Sequence, residues 1–163
     1  MALINEIKIF FKKTILLSGC ISTGQDVASA LQMGADLAYM GTRFINVKES
    51  HADKGYQEMI MNSKAEDIVY TAAISGVKAN FLKASLESMG IDETQWSQST
   101  KIDFGSELDA AKAEAKVWKT IWSAGQGVTS ISDIPSVNEL LTRLKQEFIE
   151  ALEKQQKNLS IYK

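Results

Sequence analysis

Apolar positions recur along this chain at two spacings, and those spacings divide it into elements. Residues 2–12 put Leu3, Ile4, Ile7 and Phe11 on one stripe with Glu6 and Lys13 off it, which predicts an amphipathic helix. Lys12 and Lys13 stand at its C-terminal end, where positive charge suits the helix dipole. Residues 14–18 and 35–40 are short apolar runs, the pattern of parallel strands buried on both faces. Between them, residues 25–33 turn Val27, Ala30 and Leu31 to one side and predict a crossover helix, with Gly34 just beyond its C-cap.

The pattern then changes. Ser50 can cap a helix reaching residue 64, with Tyr56, Met59, Ile60 and Ser63 as its stripe and its apolar members in the core. Residues 67–73 have strand propensity, and residues 79–89 read as a helix ended by Gly90. Residues 91–105 hold no steady period and read as a loop pinned by Trp96 and Phe104. Ser106 with Asp109 opens a helix to Trp122 that Gly125-Gln126-Gly127 ends. Pro135, Ser136 and Glu139 open a last helix along Val137, Leu140, Leu141, Leu144, Phe148 and Leu152, with a frayed tail after Lys154. This order predicts three stretches. Residues 1–48 are βα units, 49–105 a helix/strand/helix region, and 106–163 C-terminal helices packing back on the first stretch.

Composition narrows the class. A chain of 163 residues, 45% apolar and with net charge −2, fits a folded globular domain and carries no electrostatic footprint for nucleic acid. No apolar run approaches the ~18 residues of a membrane span. Cys20 is the single cysteine, so no internal disulfide forms, and a reducing, cytoplasmic compartment is expected. Asp36, Asp53 and Asp67 lack metal-ligand spacing.

The candidate chemistry lies in residues 14–44. Each short strand runs into a glycine turn, at Gly19 and at Gly41. Without a Cβ, glycine lets an anion approach the backbone N–H groups. Helices starting at residues 22–24 and 42–44 would aim further amides and positive dipole ends at the same anion. In a (β/α)8 barrel, such a phosphate site forms after strands 7 and 8.

The wording of this stretch is narrower than a generic phosphate turn. Ser18-Gly19-Cys20-Ile21, Met40-Gly41-Thr42-Arg43-Phe44, Glu49-Ser50, Lys64-Ala65-Glu66-Asp67-Ile68, Ser75-Gly76 and Trp122-Ser123-Ala124-Gly125-Gln126-Gly127 together resemble the closing part of the nitronate monooxygenase family, formerly the 2-nitropropane dioxygenases. Cys20 is a departure, standing where that family usually shows glycine or alanine. The resemblance implies an α/β fold, the C-terminal part of a TIM barrel with strands 7 and 8, plus a mostly helical C-terminal region. It implies FMN as cofactor, a small nitronate or nitroalkane as substrate, and O₂ as oxidant. Ser18, Gly19, Cys20, Gly41 and Thr42 would hold the FMN phosphate, and Gln126 would lie near the flavin, with a helix cap as its other reading. Other FMN barrel enzymes share both turns, an enoyl reductase or an NAD(P)H:quinone reductase among them. A non-catalytic remnant is the third reading.

Two residues stay open at this level. Arg43 either pairs with the phosphate or makes an ion pair behind the turn. His51, the single histidine, stands in a polar stretch at a predicted helix start, and no family motif places the catalytic base there. A whole barrel needs roughly 200 residues or more. The chain is therefore expected to be the C-terminal portion of a longer enzyme, inactive alone, whose strand faces are covered by an N-terminal half or by self-association.

Overall fold

The computed structural model describes residues 2–97 and 120–162. The helix expected over residues 106–122 lies almost wholly outside the described residues, as does Phe104. Two compact units emerge, one of Met1–His51 with Asp133–Lys163, the other of Ala52–Ser132.

The first unit holds helix α1 (Ala2–Phe10), strand β1 (Leu16–Ser18), helix α2 (Gly24–Gln32), strand β2 (Leu37–Tyr39), the short helix α3 (Thr42–Ile45) and, at the far end of the sequence, α7 (Val137–Leu159). Strands β1 and β2 pair in parallel, Leu16 opposite Leu37 and Ser18 opposite Tyr39. Helix α2 is fixed at both ends. Thr23 and Asp26 form a reciprocal capping box at its start. At its finish the Gly34 amide donates to the Leu31 carbonyl and the Ala35 amide to that of Ala30, with Gly34 at φ +100°. That is the Schellman arrangement, and the left-handed angle is why glycine stands there.

The core of this unit is made by α2 against α7. Ala28 and Ala30 are fully buried on α2, and Leu140 on α7. Contact is closest at Gly24, where a Cβ would lie 2.1 Å from the Leu144 carbonyl oxygen and 2.5 Å from the Phe148 nitrogen. Helix α7 starts with the expected Ser136/Glu139 capping box and runs to Leu159. The tail expected to fray from Lys154 is therefore helical, consistent with its run of strong helix formers, Glu153 to Lys157. On α1 only Ile4 of the predicted stripe is fully buried, while Leu3, Ile9 and Phe10 are exposed. Leu16, Leu37 and Tyr39 also stand exposed, on one face of the parallel pair.

The second unit has helix α4 (Lys54–Asn62), an antiparallel pair of β3 (Ile68–Thr71) and β4 (Ala79–Leu82), helix α5 (Lys83–Ser88), the short α6 (Glu93–Trp96) and a 3₁₀ turn, Gln126–Ser130. Ile74, Phe81, Leu86, Ile91 and Ile121 form its core, with Trp96 packed against them. Three local expectations are corrected. Asp53, not Ser50, caps α4, accepting from the Gly55 amide at 2.7 Å, while the Ser50 amide closes a turn on Val47. Residues 79–82 are a strand rather than the start of a helix, because pairing with β3 puts Phe81 and Leu82 into the core. Within the expected loop, Asp92 and Gln95 box the start of α6. No helix among the described residues is long and apolar enough to cross a membrane.

Two measurements follow from the first unit. Gly24→Ala forces a methyl against two backbone atoms of α7 that no rotamer change can move, so it should destabilise by about 1–3 kcal/mol in urea unfolding. The Glu139 carboxylate is pulled down from 4.5 to about 2, first by the Ser136 amide, then by the Ser136 hydroxyl and Lys48. A depressed folded pKa means the stabilisation is complete above the ordinary pKa and is lost as pH falls from about 4.5 towards about 2. Glu139→Gln should therefore lose less melting temperature than the parent over that window.

Candidate functional site at the paired glycine turns

Parallel pairing sets the geometry. Ser18 and Tyr39 are partners at the C-terminal ends of β1 and β2, so the chain leaves both strands at the same edge. After Ser18 it turns through Gly19 at φ +104° and Cys20 at φ +57°. Both angles are left-handed, and Cys20 adopts one without being glycine, at a cost of ~1–2 kcal/mol. After Tyr39 the chain passes Met40 and enters α3, with Gly41 as N-cap and no side chain bonding that end. A Cβ built at Gly19 or at Gly41 meets nothing within 4 Å among the described residues. Ser18, Gly19, Cys20 and Gly41 are exposed and Thr42 half-buried. Open space in front of two adjacent backbone turns is what an anion needs to reach amides at about 2.7–3.2 Å. The residues present therefore fit a phosphate group.

The α2 end does not join this cradle in the way its position in the sequence implies. The Ser22 and Thr23 amides donate to Asp26 Oδ2 at 3.0 and 2.9 Å. The Gly24 amide donates to Glu147 Oε2 of α7 at 2.7 Å, and the Asp26 amide to Thr23 Oγ1. Two carboxylates of the chain's own thus hold the positive end of this dipole. An anion arriving at Gly24 would meet the Glu147 charge and the α7 backbone.

Arg43 resolves to the second of its two readings. Its side chain is 2% exposed and donates to Asp133 Oδ1 at 3.0 Å, behind the turn. Longer contacts of 3.4–3.5 Å reach the carbonyls of Asp133 and Asn46. Burial pushes the guanidinium down from its usual value, and Asp133 opposes that shift. Arg143 of α7 grips both oxygens of the same carboxylate, at 2.9 and 3.2 Å. Hydrogen bonding from Arg143, against some desolvation, holds Asp133 below the usual carboxylate range.

The remaining candidates take structural or exposed places. His51 is exposed, ahead of α4. Gln126 belongs to the second unit, is exposed, and opens the 3₁₀ turn rather than closing a helix. Tyr56 stacks on Trp122 with ring centroids 5.1 Å apart and gives its hydroxyl proton to the Ser123 carbonyl. Burial lifts that phenol to about 12. Among the described residues no cluster of His, Cys, Asp and Glu could hold a metal ion.

Sequence reasoning missed Asp133, Arg143 and Glu147. Asp133 lies 90 positions from Arg43 of α3 and Glu147 lies 123 from Gly24 of α2, while Arg143 reaches α3 only through Asp133, 10 positions away. Only the Glu147 and Arg143 positions on the polar side of the last helix are readable beforehand.

Comparison with known proteins points one way. The nitronate monooxygenase profile matches residues 1–147. A nitronate monooxygenase of Paraburkholderia phytofirmans is 31% identical over 143 residues, covering 85% of this chain and 39% of the relative. One from Pseudomonas aeruginosa is 28% identical over 141 residues, again covering 39% of its length. This chain thus spans about two fifths of the curated relatives it matches. Among solved structures, FabK of Thermotoga maritima superposes with TM-score 0.73 at 23% identity, over 96% of this chain and 50% of that one. A nitroalkane oxidase of Streptomyces ansochromogenes gives 0.70 at 24% identity, over 94% and 44%. These two likenesses establish a shared mixed α/β fold, and the profile match over most of the residues, cradle included, establishes that the chain belongs to the nitronate monooxygenase family.

Proposed function

We propose that this chain carries the phosphate end of an FMN site in an enzyme that oxidises small alkyl nitronates with O₂, and that β1 and β2 are the last two strands of a (β/α)8 barrel. The observation that carries the reading is the pair of open glycine turns at one edge of two hydrogen-bonded parallel strands. Membership of the nitronate monooxygenase family supports that substrate class.

In this reading the first-unit residues divide the work. Backbone amides at Gly19, Cys20, Gly41 and Thr42 would donate to the phosphate oxygens, and the hydroxyls of Ser18 and Thr42 would add donors. Amide donors fixed by the fold need little reorganisation when the anion arrives. FMN, when bound, supplies the redox chemistry, while the protein supplies binding and orientation. Arg43 takes no direct part, since its guanidinium is committed to Asp133.

Flavin titration tests this reading, with riboflavin as the control that lacks the phosphate. FMN should bind at least about tenfold more tightly than riboflavin, a difference of ~1.4 kcal/mol. Gly41→Val should abolish most of that preference, because a branched Cβ fills the open side of the turn. Thr42→Ala should cost about 1.5–3 kcal/mol, the value of a hydrogen bond to a charged group. Equal binding of FMN and riboflavin to the parent would overturn the phosphate assignment. Because the chain is expected to be inactive alone, oxygen uptake on adding propyl-2-nitronate to this chain combined with the N-terminal portion of a full-length relative is the corresponding test of the substrate class.

A further inference from the structure

The Met40-Gly41-Thr42 turn is closed locally by the Phe44 amide, which donates to the Gly41 carbonyl at 3.0 Å. Helix α3 is four residues long, and among the described residues no side chain caps its Gly41 start. The Cβ side of Gly41 is open, so packing on that side does not fix the turn. A second hold enters from the far end of the chain. Arg43, the residue after Thr42, is buried and bonded to Asp133 at 3.0 Å. The segment that follows is stitched to the same stretch. The Lys48 amide donates to the Pro135 carbonyl at 2.9 Å, and the Val137 amide donates to both Glu49 oxygens at 3.0 and 2.9 Å. Asp133 is itself immobilised by the two-point grip of Arg143.

We propose that Asp133 is a positioning residue for flavin binding, acting ninety positions away in sequence by fixing the phosphate turn through Arg43. The inference rests on the cradle reading given above. Its physical basis is the burial of Arg43. A cation that is 2% exposed, with an Nε that finds no partner among the described residues, cannot stay in place once its carboxylate is removed. Arg43 then turns outward to reach water, and the Thr42 amide and hydroxyl, one residue away, lose their aim. The effect is geometric, because the guanidinium is bonded to Asp133, behind the turn.

FMN and riboflavin titrations of the full chain distinguish this from a general loss of stability. Asp133→Asn keeps the shape and deletes the charge. It should weaken FMN about tenfold or more, ~1.4 kcal/mol, and leave riboflavin affinity unchanged. Asp133→Glu should recover part of the loss. Ser85→Ala is the control for stability alone. It removes a buried hydroxyl of the second unit that donates to the Thr120 carbonyl and accepts from the Trp122 amide, without touching Arg43 or residues 133–137, and FMN affinity should stay within about twofold of the parent while the melting temperature falls. If Asp133→Asn fails to fold, Arg143→Ala decides, since Arg143 is exposed and its loss frees the Asp133 carboxylate. It should raise the FMN dissociation constant several-fold, about threefold or more. Unchanged FMN affinity in Asp133→Asn, or in Arg143→Ala where Asp133→Asn does not fold, overturns the proposal, as does an equal loss in Ser85→Ala. A parent that binds FMN no better than riboflavin would instead sink the cradle reading itself, and this inference with it.

Discussion

The parallel pairing of β1 with β2 is the constraint from which the site follows. Antiparallel strands would send their exits to opposite edges. Parallel strands send both to one, so Gly19 and Gly41 come together although 22 positions separate them by number. Parallel pairing also requires a crossover, and α2 is that crossover. The crossover must then be pinned, because three ladder positions alone are a weak sheet. Its pinning comes from α7, which lies so close at Gly24 that no side chain fits between them. The open turns therefore depend on a helix more than a hundred residues further along the chain.

The charged groups of the first unit are arranged around that dependence. Glu147 and Asp26 neutralise the α2 end, which would otherwise compete for any anion at the strand edge. Asp133 is held by Arg143 and holds Arg43. Of these contacts the surface ones contribute little individually, and the Lys48–Glu139 pair, about 60% exposed on both sides, belongs with them. The buried Arg43 contact differs. Breaking it leaves a charge in the interior, so its loss costs far more than its formation contributes. Such a contact serves to fix one arrangement of the backbone more than to add stability.

How much of this was readable in the sequence depends on the range of the interaction concerned. The β1–α2–β2 order, the Gly34 stop and the Ser136/Glu139 start are set by residues within six positions of each other, and all three stand where the pattern puts them. The two turns were legible for the same reason. Strand β4 was not, because Ala79–Leu82 becomes a strand only through its register with β3, and its apolar spacing serves a helix equally well. The fate of Arg43 was undecidable from its own neighbourhood, since the deciding carboxylate is ninety positions away. The helix start at Gly24 was legible, but its occupation by Glu147 was not, and that contact takes away one part of the expected cradle.

A cradle made of amides and hydroxyls has a definite chemical scope. Amide N–H groups donate and do not take up protons near neutral pH, and a threonine hydroxyl there neither removes a proton from carbon nor carries an electron. Removing a proton from a nitroalkane needs a base, and His51, the single histidine, is exposed and outside these turns. On the proposed reading the turns would contribute to the rate only through position. Binding energy from a part of the cofactor remote from the reacting atoms is what holds the reacting part in place. On the proposed reading, phosphate affinity at Gly19 and Gly41 fixes where the flavin ring lies. An error in the turn of a fraction of an ångström is then transmitted along the cofactor to the reacting centre. On that reading a contact that fixes the backbone, such as Arg43 with Asp133, bears on binding as the donors do.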